Sequence, residues 1–278
     1  GAAGLVAGFA AAGFVGQAAV SVAAAAFFLL ANLVRAEADD PRLLGLFCAV
    51  VCAFLGYGLA DAASWVLWRP WPAGRAAGVR AVQLPLFLVS VALFHAVEFL
   101  FTVVFHPGDI EFRAFLLTPV PAGGYSLAMV AALVEFWAER WLPGPRMPPE
   151  AAAALLWGGF LLAVGGWALR VAALFTAGSN FTHLVASRKE ASHRLVTWGV
   201  YGWCRHPGYV GWFAWSVSTQ LVLLNPVCLA AYAAVSWKFF EGRIPGEEAC
   251  LLRFFGEDYV EYARRVPCGI PRISRLRF

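Results

Sequence analysis

The sequence predicts an all-α polytopic membrane protein of seven to eight transmembrane helices, ending in a helical hairpin and an amphipathic helix. Three observations carry this. Hydrophobic residues make up 61% of the 278 positions and charged residues only 14%, where soluble domains carry roughly 25% charged residues. The apolar residues fall in long runs without a charge: residues 1–34, 43–60, 114–134, 151–169 and 207–237. A helix needs about 20 mostly apolar residues to cross a bilayer, and these runs meet or approach that.

Residues 1–34 read as one long span, or as two broken near Gly13–Gln17. They lack a basic start and far exceed the apolar core of a signal peptide, about 7–15 residues. Spans follow at about 43–67, 81–105, 114–141 and 151–177. The loops Arg35–Arg42, Arg69–Arg80, His106–Arg113 and Trp141–Glu150 are rich in Pro, Gly and Arg. Trp68, Trp71 and Trp141 stand where interfacial aromatic anchors belong. Gly158–Gly159 and Gly165–Gly166 lie on one span and permit close helix packing. The run 207–237 is too long for one span and short for two with a generous loop. Asn225–Pro226 near its middle is a turn signal, so a tight hairpin over 207–241 fits, with Pro226 opening its second helix. Glu247–Arg265 then reads as an amphipathic helix with Leu251, Leu252, Phe254, Phe255, Tyr259 and Tyr262 on its apolar side.

Texture divides the chain at 177. Residues 1–177 are spans on short loops, and residues 178–278 are far richer in His, Arg, Glu and Tyr. Chemistry is therefore sought in the second region. The net charge of +4 is modest, yet Arg264, Arg265, Arg272, Arg275 and Arg277 crowd the C-terminus. Positive residues near spans favour the cytosolic face and an anionic leaflet, although a plain solvated tail has the same composition. No basic-aromatic module points to nucleic acid. Of the six cysteines none forms C-x-x-C or joins His at zinc spacing. No metal site is expected, and the thiols read as reduced and unpaired, with Cys48 and Cys52 packing inside an apolar run.

Ionisable residues at membrane depth are costly and so are candidates by default. His95 and Glu98, three apart, share one helix face, either lining a site or locking two spans together. Arg205–His206–Pro207, flanked by Tyr201 and Tyr209, stands at the mouth of the hairpin. Pro207 can start a helix whose free N–H groups favour an anion, and the rings could stack on a purine; interfacial anchoring reads equally from composition. Beyond the hairpin come Glu241, Arg243 and Pro245–Gly246–Glu247–Glu248. Arg243 can clamp a carboxylate with two parallel hydrogen bonds, and Glu247 and Glu248 can hold an ammonium. With Pro245 as a first helical residue, both glutamates would instead serve the helix dipole. Asn180–Phe181–Thr182 is a glycosylation sequon, expected unmodified on the cytosolic side. Folding the hairpin back brings Arg205–His206 close to Arg243–Glu248. One site would then offer a cation binder, an anion clamp and aromatic walls.

At these residues a family resemblance enters. Arg205-His-Pro-Gly-Tyr-Val-Gly-Trp212 followed by Glu247–Glu248 resembles the RHP…EE signature of membrane isoprenylcysteine carboxyl methyltransferases. Ser179–His183, Leu195–Thr197, Gly199–Tyr201, Thr219–Gln220, Asn225–Pro226, Phe254–Glu257 and Arg265–Pro267 are similar to that family too. So is Phe94–Phe99, with Val97 where serine is usual. The resemblance implies an endoplasmic reticulum membrane enzyme whose active site and C-terminus face the cytosol. It would methylate farnesylated or geranylgeranylated CaaX proteins with S-adenosylmethionine. His183, Leu195, Val196, Tyr201, Arg205, His206, Tyr209, Glu247 and Glu248 would bind that cofactor, in a site formed by the hairpin and amphipathic helix. Arg243 and Glu247 would be the catalytic pair, Arg243 meeting the substrate carboxylate. Residues 1–177 would supply the scaffold and the lipid-substrate region. Pro245–Gly246 departs from the polar or acidic residues usual there, which leaves open whether Arg243 and Glu247 share one helix. Two other readings compete. An NADPH-dependent sterol reductase would need a basic 2′-phosphate site near Arg205, where only Arg188, Lys189 and Arg194 stand by. A transporter would spread its polar residues over several spans.

Overall fold

The structure, a computed structural model, describes residues 16–27, 49–54, 56–61, 75–110, 124–141, 147–183, 188–189 and 193–273. Every regular element among them is helical. Two short apolar helices come first, α1 (Gly16–Phe27) and α2 (Ala49–Asp61). They are followed by α3 (Arg75–Phe105), α4 (Gly124–Trp141), α5 (Pro149–Ala177), α6 (Pro207–Leu223), α7 (Pro226–Phe255) and α8 (Glu257–Arg265). Two stretches, Gly78–Phe105 and Pro149–Asn180, are long and apolar enough to cross a membrane. Large apolar side chains face outward on the long helices: Leu161 is 69% exposed, Leu127 67% and Val235 69%. Such a surface suits lipid far better than water. The expected break in residues 1–34 lies mostly outside the described residues, as do Cys48, Trp68, Trp71, Arg275 and Arg277. Cys52, Cys204, Cys228, Cys250 and Cys268 carry free thiols.

Glycine sets the tightest contact. A Cβ on Gly211 of α6 would lie 2.6 Å from the Arg170 nitrogen and the Gly166 oxygen of α5. A Cβ on Gly166 would meet the Trp215 nitrogen at 2.6 Å, and one on Gly159 the Leu221 Cβ at 2.5 Å. The two backbones therefore touch along their length, as small residues allow between apolar helices. Gly158 and Gly165 face open space, so only one glycine of each expected pair packs a neighbour. Across this seam Trp215 stacks on Phe94 of α3, ring centroids 3.9 Å apart, and donates to Ser90 Oγ at 2.9 Å.

The hairpin forms as expected, with Leu224 left-handed at its turn and Pro226 in the first turn of α7. Polar side chains hold the turn. Asn225 Nδ2 donates to the Ala132 carbonyl of α4 at 2.8 Å and to Gln220 Oε1 at 3.1 Å. Glu135 of α4 accepts from the Val227 and Cys228 amides at 2.7 and 2.6 Å, so a carboxylate answers the positive end of α7.

Two expectations on the C-terminal side need correction. Pro245 does not open a helix; it lies inside α7, which runs unbroken through Gly246 to Phe255. The amphipathic stretch 247–265 is not one helix. It breaks at Gly256, whose φ of 56° is left-handed, and only α8 stands apart from the hairpin. Glu257 and Asp258 open α8 and Arg264 and Arg265 close it, matching the helix dipole.

A second proline lies inside a helix at Pro85 of α3. Proline has no N–H, so the carbonyl four residues earlier, at Ala81, loses its helical partner. Gln17 of α1 supplies one, Nε2 to Ala81 O at 2.8 Å, with Gln17 only 5% exposed. Gln17→Leu should cost about 1–3 kcal/mol, the cost of a buried unsatisfied group, read as a lowered thermal midpoint in detergent. In a Pro85→Ala background the same substitution should cost little, because residue 85 then carries an N–H for Ala81. Equal losses in the two backgrounds would break this reading.

Candidate functional site

The second half of the chain folds back on itself through Arg205. This residue ends a 3₁₀ turn, Gly199–Gly202, and the short segment after it, while His206 caps the start of α6. The segment pairs with the chain beyond α8: the Arg205 amide donates to Pro267 O at 2.8 Å and the His206 amide to Cys268 O at 3.2 Å. The Arg205 side chain then does two things. Its Nε and Nη2 donate to Glu248 Oε1 of α7 at 2.9 and 2.7 Å. Its Nη1 donates to the Ala263 and Val266 carbonyls at the end of α8, at 3.1 and 2.6 Å. One buried guanidinium thus joins α6, α7 and α8. His206 Nε2 lies 3.2 Å from the same Glu248 oxygen. Burial weighs against charge on Glu248, but the bonds from His206 and Arg205 outweigh it and hold its carboxyl below the usual carboxylate range.

Adjacent glutamates part company here. Successive residues on a helix point about 100° apart. Glu248 turns inward and is 1% exposed, while Glu247 faces a cavity of about 140 Å³. Tyr209 of α6 donates its hydroxyl to Glu247 Oε2 and accepts from Arg243 Nε at 2.7 Å. Arg243 Nη2 reaches the His183 carbonyl at 2.5 Å, leaving Nη1 without a partner among the described residues. Proximity of the two clusters is therefore as expected, with Arg243 and Glu247 one turn apart on a single helix.

Of the expected cofactor residues, Leu195, Val196, Tyr201, Arg205, His206, Tyr209 and Glu247 line the cavity. Glu248 stands behind its wall, committed to Arg205. His183 lies beside the cavity, its ring packed against Phe101 and Phe181. Its Nε2 is buried without a hydrogen bond, 3.7 Å from Glu98 Oε2. Burial outweighs the pull of Glu98 and drops the imidazole to about 4, so His183 is neutral at neutral pH. The remaining wall comes largely from residues read only as an apolar helix face: Leu251, Phe254, Phe255, Tyr259 and Tyr262. Tyr201 and Tyr262 join through Tyr262 Oη to Tyr201 O at 2.7 Å. Asn180, the expected unmodified sequon residue, also lines the cavity; its amide is engaged with the Ala177 carbonyl and the Arg194 amide.

His95 and Glu98 do lock helices together. His95 Nε2 lies 2.7 Å from Tyr125 Oη of α4. Glu98 takes a forked ion pair from Arg170 of α5, Nε to Oε1 at 2.6 Å and Nη2 to Oε2 at 3.2 Å. Arg170 also donates to the Gly208 carbonyl at 3.3 Å and sits over the Phe181 ring, 4.9 Å from its centroid. It thereby steadies the first turn of α6 and one wall of the cavity. Sequence reasoning passed over Arg170, although an arginine at the end of an apolar run was signal enough. His206, Glu248 and Cys268 bring possible ligand atoms within 4.8 Å of one another. Arg205 already supplies the positive charge at that spot, which disfavours a second cation.

Glu98→Ala would leave Arg170 buried without its counter-charge, a loss of about 3–5 kcal/mol. Adding Arg170→Met should recover most of it in thermal unfolding of the purified protein. A single variant as mild as a surface change, within about 0.5 kcal/mol, would show the pair to be dispensable.

Comparison with known proteins gives concordant matches. The family model described as Isoprenylcysteine carboxyl methyltransferase (ICMT) family matches residues 159–253. The chain is 44% identical over 192 residues to protein-S-isoprenylcysteine O-methyltransferase of Mus musculus, 69% of this chain and 66% of that protein. It is 38% identical over 233 residues to the protein of the same name from Xenopus laevis, 82% of this chain and 75% of that one. The match thus spans just under two thirds of the mouse protein and more of the frog one. A solved structure of the eukaryotic intramembrane Ras methyltransferase ICMT superposes with a TM-score of 0.66 and 33% identity, covering 95% of this chain and 96% of the other.

Proposed function

The chain belongs to the isoprenylcysteine carboxyl methyltransferase family, and on that premise we propose that it transfers a methyl group from S-adenosylmethionine to the carboxylate of a C-terminal prenylated cysteine. The single observation that carries this is the arrangement of Glu247 and Arg243 about Tyr209: a carboxylate facing an aromatic-walled cavity and a guanidinium one helical turn earlier. Membership of the family also sets aside the reductase and transporter readings.

The residues fit the proposed donor. Glu247 would hold its ammonium, Phe254, Phe255 and Tyr201 would flank its purine, and Leu195, Val196 and Leu251 supply apolar wall. When bound, S-adenosylmethionine supplies an electrophilic methyl group. The chain's own task is then light. The acceptor carboxylate is already ionised at neutral pH, so no general base is needed. Arg243 orients the carboxylate with a planar fork, which fixes the attacking oxygen where an ammonium would fix only a distance. Apolar and aromatic walls keep water out. Arg205 and Glu248 act through the backbone they hold rather than on the ligand, and no step calls for a metal ion. Residues 1–177 form the lipid-facing scaffold and residues 178–278 the catalytic region. The full chain has seven to eight spans and lies in the endoplasmic reticulum membrane, its site and basic C-terminus on the cytosolic side. Its partners are farnesylated or geranylgeranylated CaaX proteins. A prenyl chain would enter sideways from the bilayer along the apolar spans of residues 81–177, gaining about 0.8 kcal/mol per buried CH₂.

The test is direct. Purified protein should bind S-adenosylhomocysteine and methylate N-acetyl-S-farnesylcysteine, leaving the unprenylated amino acid untouched; failure to bind would discard the reading. Two variants should divide the work. Glu247→Ala should mainly raise the KM for S-adenosylmethionine, since a charge-assisted hydrogen bond contributes about 1.5–3 kcal/mol. Arg243→Lys should lower turnover about tenfold or more, equivalent to 1.4 kcal/mol, with the cofactor KM near wild type. Near-normal turnover of the lysine variant would make Arg243 a membrane anchor and move the carboxylate elsewhere.

A further inference from the structure

Arg243 and Glu247 form a charge pair that never touches directly. The Tyr209 hydroxyl stands between them, donating to Glu247 Oε2 and accepting from Arg243 Nε at 2.7 Å. The ring that carries this hydroxyl packs against two others. It stacks on His206 with centroids 5.5 Å apart and planes 3° from parallel, and on Phe240 at 4.8 Å. The Arg243 guanidinium also lies over the Tyr209 ring, 5.7 Å from its centroid. The hydroxyl is thus fixed in place by packing and is shared by the two groups that bear opposite charges.

We propose that Tyr209 is a positioning residue that couples the two halves of the site, so that a cation taken by Glu247 makes Arg243 available to an anion. The inference rests on the methyl-transfer reading above and adds to it a named link between donor and acceptor binding. The physical basis is the polarisation of hydrogen bonds in series. While Glu247 draws on the hydroxyl proton, the phenolic oxygen is electron-rich and accepts strongly from Arg243. An ammonium on Glu247 weakens that pull. The oxygen becomes a poorer acceptor, and the Arg243 Nε–H turns to a better one. The charges point the same way: Glu247 and Arg243 balance each other at rest, and a cation at Glu247 leaves the guanidinium with unmatched positive charge. An anionic carboxylate is the ligand that restores the balance.

The experiment measures binding without turnover. The Kd of N-acetyl-S-farnesylcysteine is determined for the full chain in detergent, with and without saturating S-adenosylhomocysteine, which has no methyl to transfer. The methyl ester of the same compound is the control, because it keeps the lipid and lacks the carboxylate. In the wild type the acid should bind about fivefold tighter or more with S-adenosylhomocysteine present, the low end of typical coupling between sites, and the ester less than about twofold tighter. Tyr209→Phe keeps the ring and both charges and removes only the hydroxyl. It should bring the tightening of the acid below about twofold, read with S-adenosylhomocysteine raised until the variant is saturated. Undiminished tightening in Tyr209→Phe overturns the inference, as does a wild type that tightens on acid and ester alike. Even where the variant folds poorly, the wild type alone can overturn the inference, by showing no tightening of the acid beyond that of the ester. Failure of the wild type to bind S-adenosylhomocysteine at all sinks the methyl-transfer reading and this inference with it, and is told apart because it precedes any comparison of acid and ester.

Discussion

The Arg205–Glu248 ion pair is the joint on which the C-terminal half turns. A buried charge is tolerated only when its partners are all present, and here they come from three helices and the segment after them. Glu248 anchors α7, the Ala263 and Val266 carbonyls anchor α8, and the backbone of Arg205 and His206 pairs with Pro267 and Cys268. Remove the guanidinium and α7 and α8 lose the side chain that ties both to the segment before α6. The cavity takes part of its wall from the same helices and the rest from the segments Asn180–Thr182 and His193–Val196. The residues most conspicuous in the sequence as a binding motif thus serve first as the frame that gives the motif its shape.

The apolar half obeys a related constraint. Where lipid replaces water, a polar group unsatisfied by the protein has no second chance. The chain answers at several such points. Gln17 completes the carbonyl left open by Pro85, Asn225 and Glu135 complete the hairpin turn, and Arg170 meets Glu98. Glycines at positions 159, 166 and 211 let α5 and α6 meet backbone against backbone.

The hairpin, its turn at Asn225–Pro226 and the approach of Arg205–His206 to Arg243–Glu248 were legible because local cues agreed: run length, a turn dipeptide, and charges bracketing an apolar stretch. The ion pair of Glu98 with Arg170 was not, because its partners are 72 positions apart and nothing local names the mate. The two glutamates read alike as ammonium binders. Only the helical phase, a property of the folded backbone, sends Glu248 inward and Glu247 to the cavity. Pro245 misled for a physical reason: proline favours the first turn of a helix, yet here it lies inside α7. Gly256 was the reverse case, a glycine read as part of a helix that in fact ends one.

The continuity of α7 through Pro245 carries a consequence for geometry. The helix is one continuous rod of 30 residues, and at about 1.5 Å of rise per residue the Arg243 guanidinium and the Glu247 carboxylate are graduated along it, each a set distance from the turn at Asn225. That turn is pinned to α4, well away from the site. The rod therefore works as a ruler: the heights of the guanidinium and the carboxylate above the hairpin tip are set by the protein itself and not by the thickness of whatever surrounds it.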